Sequence, residues 1–145
     1  MTRIDFYVAQ NPDPGSTDVL VCRFVEKAFR NGHETYILTA DARQSARLDD
    51  LLWTFSPGSF VPHQTGPDHD DTRLDPRPTV LIGHEEPPPA FNDILVSLRA
   101  QVPGCFSRFQ RVAEFVGTGE EEKRQARVRF RYYRDRGYPL ENHSI

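Results

Sequence analysis

Apolar positions switch between strand and helix spacing from the first residues of the chain. Residues 3–8 place Ile4, Phe6 and Val8 at every second position, which predicts a strand buried on one face. Residues 18–30 then carry apolar side chains three and four positions apart, which predicts an amphipathic helix: Val21, Cys22, Val25, Ala28 and Phe29. The chain therefore opens with a strand followed by a helix.

The same order repeats immediately downstream. Residues 35–39 are mostly β-branched or aromatic, which predicts a second strand. Asp41 is a suitable N-cap for a second helix, which continues to Trp53. Strands and helices that alternate with short loops form right-handed βαβ units, so these segments predict a largely parallel sheet.

The second half of the chain adds further strands and a long helix. Residues 59–63 are an extended piece and residues 64–78 a polar surface loop. Strands are predicted at residues 79–83 and 94–98, a short helix at residues 103–110, and the last strand at residues 111–116. With a final helix at residues 120–136, the expected fold is a three-layer, Rossmann-like α/β domain of five or six strands with helices on both faces. We expect it to span residues 1–145 as a single domain.

Charge is distributed unevenly along this chain. Residues 120–136 open with three glutamates, end with arginines, and hold seven basic and four acidic side chains. The termini of this helix therefore suit its macrodipole. This segment is therefore net positive, whereas the whole chain has a formal net charge of -3. Positive charge is concentrated on the last helix, where a negatively charged partner could be held.

A cationic stripe and an apolar face meet on this helix. At roughly 100° per residue, Phe130 lies at the border between them, next to Ala126 and Tyr133. The stripe comprises Lys123, Arg127 and Arg134, with Arg124 and Arg131 beside them. These arginines could be only the solvated side of the helix, but an acidic ligand with an apolar group would meet both surfaces.

Composition points to a soluble protein that needs no cross-links. The chain is 37% hydrophobic and 27% charged, within the range of globular domains. Cys22 and Cys105 lack CxxC spacing and lie in apolar surroundings, which is typical of reduced core thiols. No apolar run approaches the roughly 20 residues of a membrane span, and the first residues do not resemble a signal peptide. We expect a cytoplasmic protein without membrane contact.

Motifs for cofactors and catalysis are missing. The loop after the first strand, QNPDPGS, has neither GxGxxG nor GxxxxGK[ST], so the common nucleotide sites are not encoded. One polar loop contains residue types that bind metals or transfer protons: His63, Asp68, His69, Asp70 and Asp71. Such a loop is more often a solvated turn, so a small metal-dependent α/β hydrolase is the weakest hypothesis. We expect no cofactor, no metal and no catalytic residues.

A second cluster is aromatic and lies between the second helix and the polar loop. It contains Trp53, Phe55, Phe60, Val61 and Pro62. These residues could be core at the end of a helix. Large apolar side chains beside a proline and a turn are also good interface anchors, so a surface for a partner protein is about equally well supported.

Six segments, read in order, resemble the chi subunit of bacterial DNA polymerase III over nearly the whole chain. The most specific are RLDDLLW followed by SFVPH, and a C-terminal KxxxRxxF/YxxY pattern supports the resemblance independently. The segments are DFYV (5–8), RLDDLLW (47–53), SFVPH (59–63), DILVSLR (93–99), EFV (114–116) and KRQARVRFRYYR (123–134).

This resemblance implies a non-enzymatic adaptor on the replication clamp loader, with a nucleotide-binding-like fold but no nucleotide. One surface would bind the psi subunit. Another would bind the acidic C-terminal tail of single-stranded DNA-binding protein, which ends in Pro-Phe, so contact with single-stranded DNA would be indirect.

The resemblance also assigns residues to both surfaces. The tail site comprises Lys123, Arg127, Phe130 and Val116, and the cationic stripe on the helix adds Arg131 and Arg134 beside them. The psi-facing surface comprises Trp53, Phe60, Val61 and Pro62. Tyrosine is expected in the family at the position of Phe130, so a hydroxyl contact would be missing here while the ring packing is kept.

Direct nucleic-acid binding through the arginine-rich helix is the second hypothesis. The net charge of -3 argues against it, because acids elsewhere would repel a polyphosphate that extends beyond this helix. An acidic peptide is therefore the preferred ligand.

Overall fold

The computed structural model describes residues 1–66 and 78–145, which form a parallel α/β fold. Three helices are present there: α1 (Ser16–Arg30), α2 (Ala42–Thr54) and α3 (Glu120–Asp135). The strands are β1 (Arg3–Val8), β2 (Thr35–Leu38), β3 (Gln64–Thr65), β4 (Val80–Gly83), β5 (Ile94–Ser97), β6 (Arg111–Val116) and β7 (Leu140–Ser144). They form one sheet in the order β3-β4-β2-β5-β6-β1-β7, and every strand pair in it is parallel.

Alternate residues of β1, β2, β4, β5 and β6 contribute to two separate cores. On one face of the sheet, α1 and α2 pack through Val25 and Leu48 onto strand residues such as Ile82. On the other face, α3 packs through Tyr133 onto Phe6 and its neighbours. The predicted three-layer, Rossmann-like α/β fold with a parallel sheet is confirmed.

Local signals account for the helix boundaries. The Asp41 carboxylate accepts a hydrogen bond from the Gln44 backbone N–H at 2.8 Å, so α2 begins at its predicted cap. At the start of α3, the Glu122 carboxylate accepts from the Gly117 N–H at 3.0 Å, which ties the helix to the loop after β6. Three acids in the first turn of α3 also suit the positive end of its dipole.

The prediction of the sheet was wrong in two places. Gln64–Thr65 pairs with β4 as an edge strand, whereas residues 64–78 were predicted to be loop. Leu140–Ser144 pairs with β1, so the strand at residues 111–116 is not the last one and the sheet has seven strands rather than five or six. Both missed strands are short and polar, so they lack the apolar alternation on which strand prediction depends.

The short helix predicted at residues 103–110 is a single 3₁₀ turn, Phe106–Arg108. Cys22 and Cys105 are buried and free, as expected of core thiols, and burial raises the pKa of Cys22 to about 12. No helix in the described ranges has the length and apolar character that crossing a bilayer requires.

Candidate functional site

One cavity brings together all six residues predicted for the tail site. It has a volume of about 410 Å³ and lies between α3 and the neighbouring strands β6, β1 and β7. We call it the α3 cavity. The assigned residues in its lining are Val116, Lys123, Arg127, Phe130, Arg131 and Arg134, and the others are Phe6, Val8, Ala126 and Asn142.

The floor of the α3 cavity is apolar and its rim is cationic. Phe130 is half-buried, and its ring meets Phe6 edge to face with centroids 5.4 Å apart. Around this ring stand Lys123, Arg127 and Arg131, none of which forms an ion pair with a carboxylate of residues 1–66 or 78–145. Unpaired cations beside an apolar floor suit an anion that carries an apolar group.

The other basic side chains of α3 are already engaged. Arg124 forms an ion pair with Glu121, with Arg124 Nη2 and Glu121 Oε1 2.6 Å apart. Arg134 reaches Asp135 at 3.3 Å while it also lines the cavity. The helix therefore presents fewer available cations than its sequence suggests.

Arg129 departs most from the sequence-based interpretation, which counted it with the positive patch. It is only 5% exposed, and its Nε donates to Glu114 Oε1 at 3.1 Å. A second guanidinium nitrogen donates to the Ala100 carbonyl oxygen at 2.8 Å, and the Tyr133 hydroxyl donates to Glu114 Oε2 at 2.7 Å. Arg129 therefore fastens α3 to the sheet.

Helical periodicity contained the signal for this role. Ala126, Arg129 and Tyr133 are three and four positions apart, and they are the residues of α3 that the sheet buries. Burial raises the pKa of Glu114. The charge of Arg129 and the hydrogen bond from Tyr133 oppose this rise in the pKa. Burial beside this carboxylate also raises the pKa of Tyr133, so Tyr133 remains a hydrogen-bond donor.

The aromatic surface predicted for the psi subunit is partly exposed. Trp53 and Phe60 are 47% and 66% exposed, and their ring centroids are 5.5 Å apart. Pro62 is also exposed, whereas Val61 is fully buried and supports the surface from beneath. We call Trp53, Phe60 and Pro62 the aromatic surface.

His63 lies beneath the aromatic surface. It is buried, and its two ring nitrogens face the backbone oxygens of Val61 at 2.6 Å and Asp49 at 2.9 Å. The Trp53 ring covers it, with centroids 4.3 Å apart. This histidine is a structural support, and the acids and histidine suggested beside it (Asp68, His69, Asp70 and Asp71) lie outside the described residues.

In the described part of the chain, one group of possible metal ligands comes together, formed by Asp5, Glu141 and His143. The Asp5 carboxylate already accepts hydrogen bonds from Arg111 Nε at 2.8 Å and Arg3 Nε at 3.1 Å. Two guanidinium groups on the same carboxylate would repel a metal cation. The group is therefore better described as an ion-pair network that joins β1, β6 and β7.

Two solved structures with a similar fold are longer chains of low sequence identity. The structure of UvsW of T4 aligns with a TM-score of 0.69 at 8% identity, over 99% of this chain and 41% of the other. A chain of the S. cerevisiae Dbp5 complex aligns with a TM-score of 0.61 at 12% identity, over 97% and 41%. At these identities the likeness concerns the fold alone, and this chain spans about two fifths of either structure.

Sequence comparisons are more specific. The family model described as "DNA polymerase III chi subunit, HolC" matches residues 1–141. DNA polymerase III subunit chi of Pseudomonas aeruginosa is 39% identical over 145 residues, which cover 100% of this chain and 98% of that protein. The Escherichia coli subunit of the same name is 29% identical over 147 residues, with coverage of 97% and 96%. The chain belongs to the DNA polymerase III chi subunit family.

Proposed function

We propose that this chain is a non-catalytic adaptor of the DNA polymerase III holoenzyme. It joins the clamp loader, through the psi subunit, to the acidic C-terminal tail of single-stranded DNA-binding protein during replication. Membership in the chi family supports an accessory role in replication. The finer assignment depends on the α3 cavity, whose unpaired cations surround an apolar floor.

The tail would bind through charge and burial together. Its carboxylates meet Lys123 and Arg127, and the planar guanidinium can bind a carboxylate through two parallel hydrogen bonds. Its terminal phenyl ring leaves water by packing against Phe130 and Val116, where each buried Å² of apolar area contributes about 25 cal/mol. Because part of the attraction is exposed ion pairing, the affinity is modest and falls as salt is added.

The aromatic surface is the proposed contact for the psi subunit. Exposed rings of Trp53 and Phe60, next to Pro62, resemble the aromatic anchors that dominate many protein interfaces. The buried Val61 takes part by supporting these rings rather than by direct contact.

Direct nucleic-acid binding by α3 is the alternative. It is less well supported than the sequence suggested, because Arg129 is buried in an ion pair and Arg124 is held by Glu121. A polyphosphate gains affinity with each basic group that contacts it, and α3 offers few available groups.

The deciding experiment is titration of a labelled acidic peptide ending in Pro-Phe. We expect Arg127→Ala to weaken its binding at least about tenfold, or ~1.4 kcal/mol, without loss of stability, because the exposed Arg127 makes no ion pair within the described chain. Arg124→Ala is the matched control, since it removes the same charge from the same helix outside the cavity. Equal affinities for the wild type and Arg127→Ala would refute the assignment, and an oligonucleotide that competes with the peptide would favour the alternative.

A further inference from the structure

A second cavity lies on the opposite face of the two strands that form the floor of the α3 cavity. It has a volume of about 320 Å³ and is bounded by α1, β1 and β6. We call it the α1 cavity. Because successive strand residues point to opposite faces, Tyr7 and Phe115 reach this cavity while Phe6, Val8 and Val116 reach the other.

Helix α1 supplies two cations to this cavity. Arg23 and Lys27 are exposed and four residues apart, which is about 6 Å along a helix. Neither forms an ion pair with any carboxylate that the structure describes. They are therefore available to an anionic ligand.

A third cation is held in place beneath them. Arg111 donates from Nε to Asp5 Oδ2 at 2.8 Å, also donates to the Tyr7 hydroxyl, and its guanidinium lies 5.0 Å from the centroid of the Phe24 ring. This pairing fixes the position of the guanidinium and compensates part of its charge. Arg111 thus orients the aromatic rings as much as it attracts an anion.

The apolar wall of the α1 cavity is a cluster of three rings. The Phe24 centroid lies 5.3 Å from that of Tyr7 and 5.6 Å from that of Phe115, and the Tyr7 and Phe115 rings stack at 5.2 Å. Such pairs are typical of a stable aromatic surface. Phe24 and Tyr7 are half-buried, so part of that surface remains available to a ligand.

The α1 and α3 cavities share a chemical pattern that two larger cavities in the described part of the chain lack. Each has two cations four residues apart on a helix, Arg23 with Lys27 or Lys123 with Arg127, and neither lining includes a carboxylate side chain. The two remaining larger cavities are each lined by at least two acidic side chains. Only the α1 and α3 cavities among these four therefore suit an acidic ligand.

We infer that the α1 cavity is a second site for an acidic peptide segment that carries an aromatic side chain. The inference rests on the proposed function for the class of ligand, but uses none of the residues of the α3 cavity. Its cations attract the carboxylates, and the rings of Tyr7 and Phe24 contact the aromatic side chain.

A peptide fits the surroundings of this cavity better than a nucleic acid does. Asp18 and Glu26 lie on the same helix as the two cations, and Asp93 Oδ2 lies 3.0 Å from Nδ1 of His33, which lines the cavity. A polyphosphate that extended beyond Arg23 and Lys27 would meet these acids. A short peptide can place its few charges on the two cations alone.

Calorimetric titration of the full chain at low salt tests the inference, with an acidic decapeptide ending in Pro-Phe as the probe. We expect two sites per wild-type chain. The double variant Arg23→Ala with Lys27→Ala should weaken one site about tenfold and leave the other unchanged. The matched control, Arg30→Ala with Arg43→Ala, also removes two exposed cations but changes no residue of the α1 cavity, and should retain both sites.

The two proposals can fail separately in this experiment. A single site that only Arg127→Ala abolishes would overturn the inference and leave the proposed function intact. Loss of a site in the Arg23 and Lys27 variant, with no effect of Arg127→Ala, would support the inference and refute the proposed tail site. If an oligothymidylate displaced the peptide from the α1 cavity and bound more weakly to the double variant, the ligand would be a nucleic acid and the inference would be wrong.

Discussion

The Phe130 ring belongs to both the core and the candidate site, since it packs on Phe6 and also lines the α3 cavity. Removing it should therefore affect both stability and binding. We expect Phe130→Ala to lower the free energy of unfolding by about 2 kcal/mol, less than for a fully buried phenylalanine. We also expect it to lower the affinity for the acidic peptide at least about tenfold. Urea unfolding and peptide titration measure the two effects. Val128→Ala is the control, because Val128 is 55% exposed on the same helix and should change neither.

The two effects of Phe130→Ala need not occur together. If stability fell while peptide affinity stayed the same, the ring would belong to the core alone and the apolar half of the proposed site would lie elsewhere. Phe130→Tyr would add the hydroxyl that the resemblance leads one to expect at this position. It therefore tests whether that hydroxyl contributes to binding.

Asp5 couples the stability of the fold to pH. Burial raises the pKa of its carboxyl, but hydrogen bonds from His143, Arg111 and Arg3 outweigh burial and hold the pKa below its ordinary value of 3.8. A carboxyl with a lowered pKa contributes stability that is fully present above this ordinary value and is lost as pH falls through the folded-state pKa. The wild type should therefore lose stability steeply on acidification below about pH 4.

Asp5→Asn should remove this contribution. We expect a loss of about 2 kcal/mol at neutral pH, limited because Arg3 and Arg111 keep 52% and 29% of their side-chain surface in water. Below pH 4 the difference between variant and wild type should shrink. Urea unfolding across this range measures it, and a constant difference at every pH would contradict the role given to Asp5.

The sequence identified individual charged side chains but not the pairs that they form. Helical periodicity placed Lys123 and Arg127 on one stripe, and the structure puts both in the α3 cavity. The same periodicity could not show that Arg129 meets a buried carboxylate on β6, since Glu114 is distant in sequence. A pairing between elements depends on the tertiary fold, which local pattern does not encode.

Helix α3 is fixed to the sheet by the Glu114, Arg129 and Tyr133 cluster, and this fixes which of its faces lines the cavity. Arg129→Met should leave the Glu114 carboxylate buried without its cation. Breaking a buried pair in this way costs about 3–5 kcal/mol. Arg124→Met removes a solvent-exposed pair instead and should cost far less. Thermal or urea unfolding compares the two, and equal losses would show that the buried cluster does not anchor the helix.

Elements with a strong apolar period were predictable and polar edge strands were not. Helices α1 and α2 lie within two residues of their predicted bounds because their buried side chains recur at helical spacing. Strand β7 (LENHS) has mostly exposed side chains, and its position depends on pairing with β1 and on the contact of His143 with Asp5 at 3.0 Å. Pairing of this kind becomes visible only when the neighbouring strand is in place.

Across the whole molecule, the α3 cavity and the aromatic surface lie on different faces and toward opposite edges of the sheet. Helix α2, which carries Trp53, packs against β3 and β4, whereas the α3 cavity borders β6, β1 and β7. Strands β4 and β1 are four positions apart in the sheet order, which is about 19 Å at the usual spacing between strands. Two partners could therefore bind at the same time without touching each other.

This separation predicts that the two binding reactions are energetically independent. Phe60→Ala removes the most exposed large ring of the aromatic surface, so we expect it to weaken binding of the psi subunit by about 2 kcal/mol, as at an interface hot spot, and to leave the acidic peptide unaffected. Arg127→Ala should do the reverse. In the double variant both losses should equal those of the single variants within about 0.5 kcal/mol, because substitutions more than about 10 Å apart without shared partners are usually additive. Titration of all four proteins with each ligand measures this, and a loss of peptide affinity in Phe60→Ala would show that the sheet couples the two surfaces.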